Sequence, residues 1–403
     1  MFHSRILSKA LGIFCSAGSL RHACRFASFA AAFFLPFVSP ASDLEGWSLA
    51  LPGWEYQFPR DHGNHSEFKT EWWYFTGNLR TESGRPFGWQ LTFFRQGIRP
   101  PTFRSQVQSR LVANDIAFAH FAVSDVKGRK FHFFQKITRG AFGESHFGEG
   151  DDPLIYCIGD WSTRRIGPHD FEISANADGI QLNLKLVSRK APVFHGFDGV
   201  SQKADGPGRA SHYYSLTRLL ATGNLILFGE EHQVTGTAWF DHEWATNQLT
   251  NEQVGWDWFS LQFDDDTELM IFQIRTRDGG RDAYSGGTWI FADGSSQAVK
   301  NEEFVLRPLA WWKRPTTGAK YPISWRLGIP KLELELEIRS NLEDQELTFQ
   351  PVVYWEGSIR ATGSRAGRPA NAHGYLEMTG YGSPILGMQA ASDGKSVESS
   401  PRR

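Results

Sequence analysis

The sequence predicts an all-β fold of antiparallel sheets, and three observations carry that expectation. Short apolar, aromatic-rich runs recur along nearly the whole chain, each bounded by Gly, Asp, Asn or Pro, which is the pattern of strands and turns. Aromatic residues make up 14% of the 403 residues, with 32 Phe and 15 Trp, side chains that suit pleated, half-buried surfaces. No amphipathic helix of three turns follows the N-terminal leader, so helical crossovers between parallel strands are not expected.

In chain order, Glu71–Thr76 is the first clear strand, closed by the turn signal Gly77-Asn78. Phe87–Phe94, Ala117–Val123, Phe131–Ile137 and Gln181–Val187 continue the series. Asn224–Phe228, Gly236–Phe240, Trp256–Phe263, Leu269–Ile274 and Gly287–Phe291 follow, then Leu332–Ile338, Val352–Ile359 and Gly374–Thr379. Several intervals are long, for example Gln96–Asp115 and Gly140–Gly167, and some of these are expected to carry short helices. Strand after strand with turns between predicts sheets closed into barrels or sandwiches, and a barrel of about eight strands can enclose one small ligand. A chain of this length suits two bodies. The boundary falls in the polar stretch Thr246–Gln253, giving domains at 46–247 and 248–390, with 391–403 a disordered tail. Trp-rich strands open both halves, at Trp72-Trp73 and at Trp256 and Trp258, but no repeat of roughly 20–50 residues suggests a propeller or solenoid.

Residues 1–41 read as a signal peptide. Arg5, Lys9, Arg21 and Arg25 precede any acid, Phe26–Val38 is apolar, and Ser39-Pro40-Ala41 presents small residues to a signal peptidase. About thirteen apolar residues with a proline are too few to span a bilayer, so the protein is expected to be exported, periplasmic or secreted, and not an integral membrane protein once cleaved. Cleavage after Ala41 leaves Cys157 alone, which excludes an intramolecular disulfide and suggests a small buried hydrophobe. The net charge of −2, without a basic stripe, argues against nucleic-acid binding. A Ser nucleophile is not expected, since Gly-x-Ser-x-Gly is absent, and no cofactor is expected, since Gly206-Pro207-Gly208 reads as a loop, not a phosphate cradle.

Phe58-Pro59-Arg60-Asp61-His62-Gly63, with His65 and then Glu71-Trp72-Trp73-Tyr74-Phe75-Thr76-Gly77, resembles the N-terminal signature of AttH-like proteins. Trp239-Phe240-Asp241-His242-Glu243-Trp244 resembles the central motif of that family, and Gly255–Phe259 and Tyr354–Gly357 resemble later landmarks. The resemblance runs from Phe58 to Tyr381. It implies two lipocalin-like antiparallel β-barrel domains packed together. It also implies kinship with bacterial carotenoid 1,2-hydratases, related to hydroxyneurosporene synthase, and with fungal cyclases of polyketide pathways. Some family members are encoded beside ABC transporter components, which makes such envelope components candidate partners.

Read as a strand, Trp239–Trp244 places Trp239, Asp241 and Glu243 on one face and Phe240, His242 and Trp244 on the other. Two carboxylates beside a Trp are either a solvated edge or a polar spot inside a cavity. Inside, burial and mutual repulsion would raise at least one pKa and leave a neutral carboxyl as a general acid among aromatic faces. The hydratase resemblance places the acid at Asp241, with Trp239 where those enzymes have a Tyr, and puts His212 and Tyr214 near it. Asp241, Glu243 and His212 are therefore the candidate catalytic residues, and Trp239, Tyr214, Trp256 and Trp258 the candidate substrate-binding ones. Asp61, His62, His65 and Glu71 include metal-capable side chains, but a hydrogen-bonded loop that plugs the first barrel is the favoured reading and no metal is expected. His242 faces away from Asp241, which excludes a dyad between them.

Three functions fit. The leading one is an exported carrier of an apolar small molecule (an isoprenoid, a lipid or a polyketide-like compound), working beside an envelope ABC transporter. The alternative is a hydratase- or cyclase-like enzyme using Asp241 on an isoprenoid double bond. The third is an accessory envelope role in which the aromatics are only core.

Overall fold

The computed structural model describes residues 44–104, 112–140, 143–349 and 352–382; the expected signal peptide and C-terminal tail lie outside the described residues. The first sheet comprises β1 (Thr70–Thr81), β2 (Pro86–Gly97), β3 (Asp115–Asp125), β4 (Lys130–Thr138), β5 (Ser145–Phe147), β6 (Leu154–Ile158) and β7 (Trp161–Arg165). It continues with β8 (Phe171–Ala177), β9 (Ile180–Ser188), β10 (Val193–Phe194), β11 (Val200–Gln202), β12 (Ala210–Leu227) and β13 (Glu230–Ala245). The second comprises β14 (Gln253–Phe263), β15 (Glu268–Thr276), β16 (Gly286–Ile290), β17 (Ser296–Lys300) and β18 (Val305–Lys313). β19 (Lys320–Ile329), β20 (Leu334–Ser340), β21 (Glu346–Phe349), β22 (Val352–Arg365) and β23 (Arg368–Met378) complete it.

The first sheet runs β4-β3-β2-β1-β13-β12-β9-β8-β7-β6-β5, an antiparallel path of eleven strands that curls into a nearly closed barrel, with β10 and β11 attached to β12. Its end strands β4 and β5 do not pair among the described residues; β6 instead packs near β3 and β4. The second runs β17-β16-β15-β14-β23-β22-β20-β19-β18, with β21 on β22, and forms a curled half-barrel. The fold is all-β in two bodies, as the sequence predicts, but only the first approaches closure. Among the described residues helix is confined to single turns such as Pro101–Arg104, and no described helix is long and apolar enough to cross a membrane. Gly140–Gly167, one of the intervals in which short helices are expected, holds β5, β6 and β7 instead, because strands of three to five residues are too short to display a period in the sequence.

Alternation along β1 explains how the two bodies meet. Trp73 and Phe75 point into the barrel, where Trp89, Phe93, Tyr156, Phe171, Phe240 and Trp244 fill the lumen. Trp72 and Tyr74 point outward, where Tyr74 joins Tyr213, Trp239, Trp258, Phe272 and Tyr375 in a separate apolar layer. The half-barrel keeps its own core around Phe259, Leu261, Trp289, Trp325, Trp355 and Leu376. Each fully buried large side chain in these layers contributes roughly 2–3 kcal/mol. Polar ties lock the layer between the sheets: Gln262 Nε2 donates to the Thr217 and Ala238 carbonyls at 2.8 and 3.0 Å, and Ser124 Oγ donates to Gln345 Oε1 at 2.6 Å. At Gly88 the backbones approach so closely that a Cβ would lie 2.6 Å from Ser358 Cβ. Cys157 is half-buried, not fully enclosed, and burial raises its thiol pKa.

Candidate functional site

A cavity of about 200 Å³ lies between the two bodies, not in a barrel lumen, which large side chains occupy. The outer faces of β1 to β4, β12 and β13 supply one wall, through Trp72, Tyr74, Phe94, Phe118, Tyr213, Asp241 and Glu243. The half-barrel supplies the other through Trp256, Trp258, Phe272, Tyr354, Glu356 and Glu377. Lys203 and the Gln248-Leu249 segment close one side. The wall is therefore mostly aromatic, with four carboxyl groups and one ammonium set into it.

Each carboxyl has a distinct setting. Across the first sheet Asp241 sits between Tyr74 of β1 and Ser215 of β12. Trp239 Nε1 and Tyr213 OH donate to it at 2.6 and 2.7 Å, Ser215 Oγ is hydrogen-bonded to it, and Ser215 in turn meets His195 Nε2 at 2.6 Å. Burial pushes the Asp241 pKa up to about 7; its three hydrogen bonds pull it back, and the Glu243 carboxylate pushes it further up. Glu377 is also lifted to about 7 by burial, opposed by the Trp256 indole that donates to it at 3.0 Å. Burial raises Glu243 too, and Lys203, 3.8 Å away, opposes the rise without cancelling it. Lys203 is itself lowered by burial and lies over the Phe272 ring at 4.5 Å.

Glu356 and Glu377 face each other directly in the β22–β23 ladder. Like charges in that arrangement repel, so the pair cannot be fully ionised in an apolar wall. Burial, with Glu377 adding to it, holds Glu356 well above the usual carboxylate range. Gln90 Nε2 donates to Glu356 Oε2 at 2.5 Å, and Tyr354 OH reaches His120 Nδ1 at 2.6 Å. Burial keeps His120 neutral, its pKa lowered to about 3.

The structure brings Asp241, Glu243, Trp256 and Trp258 together at the cavity, with Trp239 behind Asp241 as its hydrogen-bond donor. It does not bring His212 or Tyr214 there. Both belong to the opposite face of β12 and point into the barrel, where His212 lies against Trp54 and Trp244 and Tyr214 OH meets His62 Nδ1 at 2.7 Å. The residue between them, Tyr213, is the one that reaches the site, as the two-residue period of a strand requires. Sequence reasoning also missed Tyr74, Lys203, Tyr354 and Glu377. Glu377 left a signal: an acid in the apolar run Tyr375–Met378 is out of place unless it is buried for a reason.

Asp61, His62, His65 and Glu71 form the plug of the barrel. His65 Nδ1 meets Glu71 at 2.7 Å and its Nε2 meets Asp61 at 3.2 Å, while His242 Nε2 meets the same Glu71 oxygen at 3.0 Å. Burial alone would lower the His65 pKa, but the two carboxylates outweigh it and raise it. Likewise burial would raise Glu71, yet His65, His242 and Arg95 hold it below the ordinary carboxylate range. His65, Glu71 and His242 are metal-type ligands within 4.8 Å of one another. Here, however, they are bonded to each other, and Arg95 Nη2 occupies the remaining Glu71 oxygen at 3.2 Å. A guanidinium in the place of a second carboxylate suits an internal ion-pair network better than a cation site.

A family profile and one solved structure place the chain in a family, and two more distant proteins resemble it. The AttH-like family profile matches residues 49–381. A presumed AttH protein of Nitrosomonas europaea, known from its crystal structure, is 33% identical, with a TM-score of 0.74 over 83% of this chain and 99% of that one. The crystal structure of kievitone hydratase from Nectria haematococca shares the fold at 14% identity, with a TM-score of 0.63 over 84% of this chain and 97% of that one. The dehydratase asqC of Emericella nidulans is 21% identical over 275 residues, which are 64% of this chain and 75% of that protein.

Proposed function

The chain belongs to the AttH-like family, and from that premise we propose that it hydrates or dehydrates a small, largely apolar molecule held between its two sheets. The observation that carries this reading is the pair of buried carboxyls, Asp241 and Glu377, each with a pKa of about 7, in one aromatic cavity. Groups poised at neutral pH can exchange protons with a substrate in both directions. The kinship with a dehydratase supports the same reading.

In the dehydrating direction the Asp241 carboxyl gives its proton to the substrate hydroxyl, the C–O bond breaks with its electron pair on oxygen, and water leaves. The proton on the neighbouring carbon passes to the Glu377 carboxylate, and that C–H pair becomes the new double bond. Hydration is the reverse. Trp256, Trp258 and Tyr213 line the cavity, and aromatic rings there can stabilise the positive charge that develops on carbon. Ser215, linked to His195, can accept and return the Asp241 proton. A cavity of this size holds roughly ten to fifteen non-hydrogen atoms, so a prenyl-type alcohol or its alkene fits whole, and a long isoprenoid would enter only by its end.

A carrier would use the same aromatic wall but would not require four carboxyls, which are costly to bury. The basic and then apolar stretch before Ala41 supports placing this chemistry outside the cytoplasm. Incubation in ¹⁸O-labelled water with small tertiary allylic alcohols, followed by mass spectrometry, tests the activity. Isotope exchange is expected in the wild type and should fall by roughly 10²–10⁴ in Asp241→Asn. Equal exchange in the two proteins would sink the assignment of Asp241.

A further inference from the structure

The edge of the second sheet carries a surface that the cavity chemistry does not use. From Phe304 to Leu332 the chain has six basic residues and no acid. β18 ends the path of its sheet and, among the described residues, pairs only with β19. In that ladder Arg307 lies directly across from Arg326, and Lys313 directly across from Lys320. Like charges so placed repel one another and weaken the hairpin. Of the six, Arg314 is bridged to Asp344 and Glu346, and Lys331 to Glu303. The four cross-strand cations are exposed and form no ion pair among the described residues; the acid beside Arg326 on β20, Glu337, is bridged to Arg339.

Apolar side chains are set among these charges. Val305, Leu309 and Trp311 are exposed on β18, and Lys320 Nζ lies 5.1 Å from the centre of the Trp311 ring. Aliphatic side chains and an indole beside lysines match the headgroup layer of a bilayer, where Trp sits at the boundary and Lys reaches out to phosphate. A polyanion such as a nucleic acid would answer the charges but leave Val305 and Leu309 in water. Pairing of a second copy through the same edge is opposed by Pro308, by the register irregularities on both sides of Ala310, and by the cations that it would bring together.

We propose that the β18–β19 hairpin is the face on which the protein rests on an anionic phospholipid bilayer, with the cross-strand cations on lipid phosphates and Leu309 and Trp311 in the headgroup layer. Each pair that repels in the free protein is neutralised there, so charges that weaken the hairpin strengthen the contact. The inference stands without the proposed reaction, although a bilayer is also where small, largely apolar molecules dissolve.

The chain from Ser42 onward carries every described element and lacks the apolar leader, which would itself bind lipid. Its sedimentation with vesicles of phosphatidylcholine alone, and of phosphatidylcholine with about 30% phosphatidylglycerol, reads the contact at about 0.1 M salt. Binding to the anionic vesicles is expected to be about tenfold or more tighter, and to weaken as salt rises. Arg307→Gln with Lys313→Gln should weaken it about 25-fold, about fivefold for each charge removed, and Trp311→Ala about tenfold. The double variant should unfold at a urea concentration equal to or above that of the wild type, because a repulsion has been removed from each cross-strand pair. Lys127→Gln with Lys130→Gln, at the β3–β4 turn, removes as much charge elsewhere and should leave binding within about twofold. Equal losses in the two double variants, or equal binding to both kinds of vesicle, would overturn the proposal. Retention on heparin without binding to vesicles would overturn it in favour of a polyanion, and a lipid-independent dimer that Trp311→Ala dissolves would overturn it in favour of a second copy.

Discussion

Replacing Asp241 by Asn should change how stability depends on pH, and the size of the change follows from its burial. The carboxyl has an ordinary pKa of 3.8 in the unfolded chain and about 7 in the fold. Between those values the folded protein holds a proton that the unfolded chain has released, so stability falls as pH rises. Each pH unit in that window costs about 1.4 kcal/mol, about 4 kcal/mol over the whole of it and about 3 kcal/mol between pH 5 and pH 8. Asn cannot ionise and is spared this loss. Other groups titrate nearby with the opposite sign. His62 and His195 have lowered folded pKa values, mainly through burial, so stability is lost as pH falls below about 6.5, where the unfolded chain takes up protons. Asp61 and Glu71, held low in the fold, contribute stability that is fully present above about pH 5. These contributions are common to both proteins and cancel in the difference. Urea unfolding at pH 5, 6, 7 and 8 should therefore show Asp241→Asn gaining on wild type by about 3 kcal/mol across the series. Parallel curves, within about 0.5 kcal/mol, would mean an Asp241 already ionised at pH 5, and the general-acid assignment would fall with it.

Two further outcomes concern the frame around the site. Gly88→Ala places a Cβ 2.6 Å from Ser358 Cβ and should cost about 1–3 kcal/mol in urea unfolding, much of it restored when Ser358→Gly is added; no rescue would mean that the contact is not what limits the sheets' approach. Arg95→Met removes the guanidinium that donates to Glu71 at 3.2 Å and to the His65 and Phe68 carbonyls at 2.9 and 2.8 Å, and should cost about 3–5 kcal/mol, with Arg95→Lys recovering little of it. Full recovery by Lys would show that charge alone matters there.

Most of the fold was legible because alternation and punctuation report on local structure. Glu71–Thr76 and Trp256–Phe263 fall inside β1 and β14, where large aromatics mark both faces. The stretch Phe171–Ala177 alternates just as well but its apolar members are small or isolated, and the first part of β12, ahead of the predicted run at Asn224, hides behind polar residues such as Ser211, His212 and Ser215 that are buried by the second body and the plug. Burial of that kind is a tertiary fact, and no local pattern carries it. The same limit applied to the site. Asp241 and Glu243 were visible because they share a strand face with a Trp, whereas Lys203, Glu356 and Glu377 arrive from distant segments and meet Asp241 only when the half-barrel docks. His212 and Tyr214 lie one residue out of register with the cavity face, since the resemblance indicated the segment without indicating which face of it met the cavity.

That one-residue distinction is also what the central motif encodes. On β13, Phe240, His242 and Trp244 build the barrel side, where His242 meets Glu71 of the plug and Trp244 stacks on His65 at 3.8 Å. Trp239, Asp241 and Glu243 build the cavity side. The ion pairs of the plug hold β13 against β1 in a register that a slip of one residue would destroy, since it would carry His242 into the cavity and Asp241 into the lumen. The two networks have opposite electrostatic characters for the same reason. In the lumen every carboxylate has a cationic or histidine partner, so Asp61 and Glu71 stay ionised and fix the strand. In the cavity four carboxyls share one lysine, so protons remain bound at neutral pH and are available to a substrate. A strand that is rigid on one face and proton-rich on the other holds an acid in place without neutralising it.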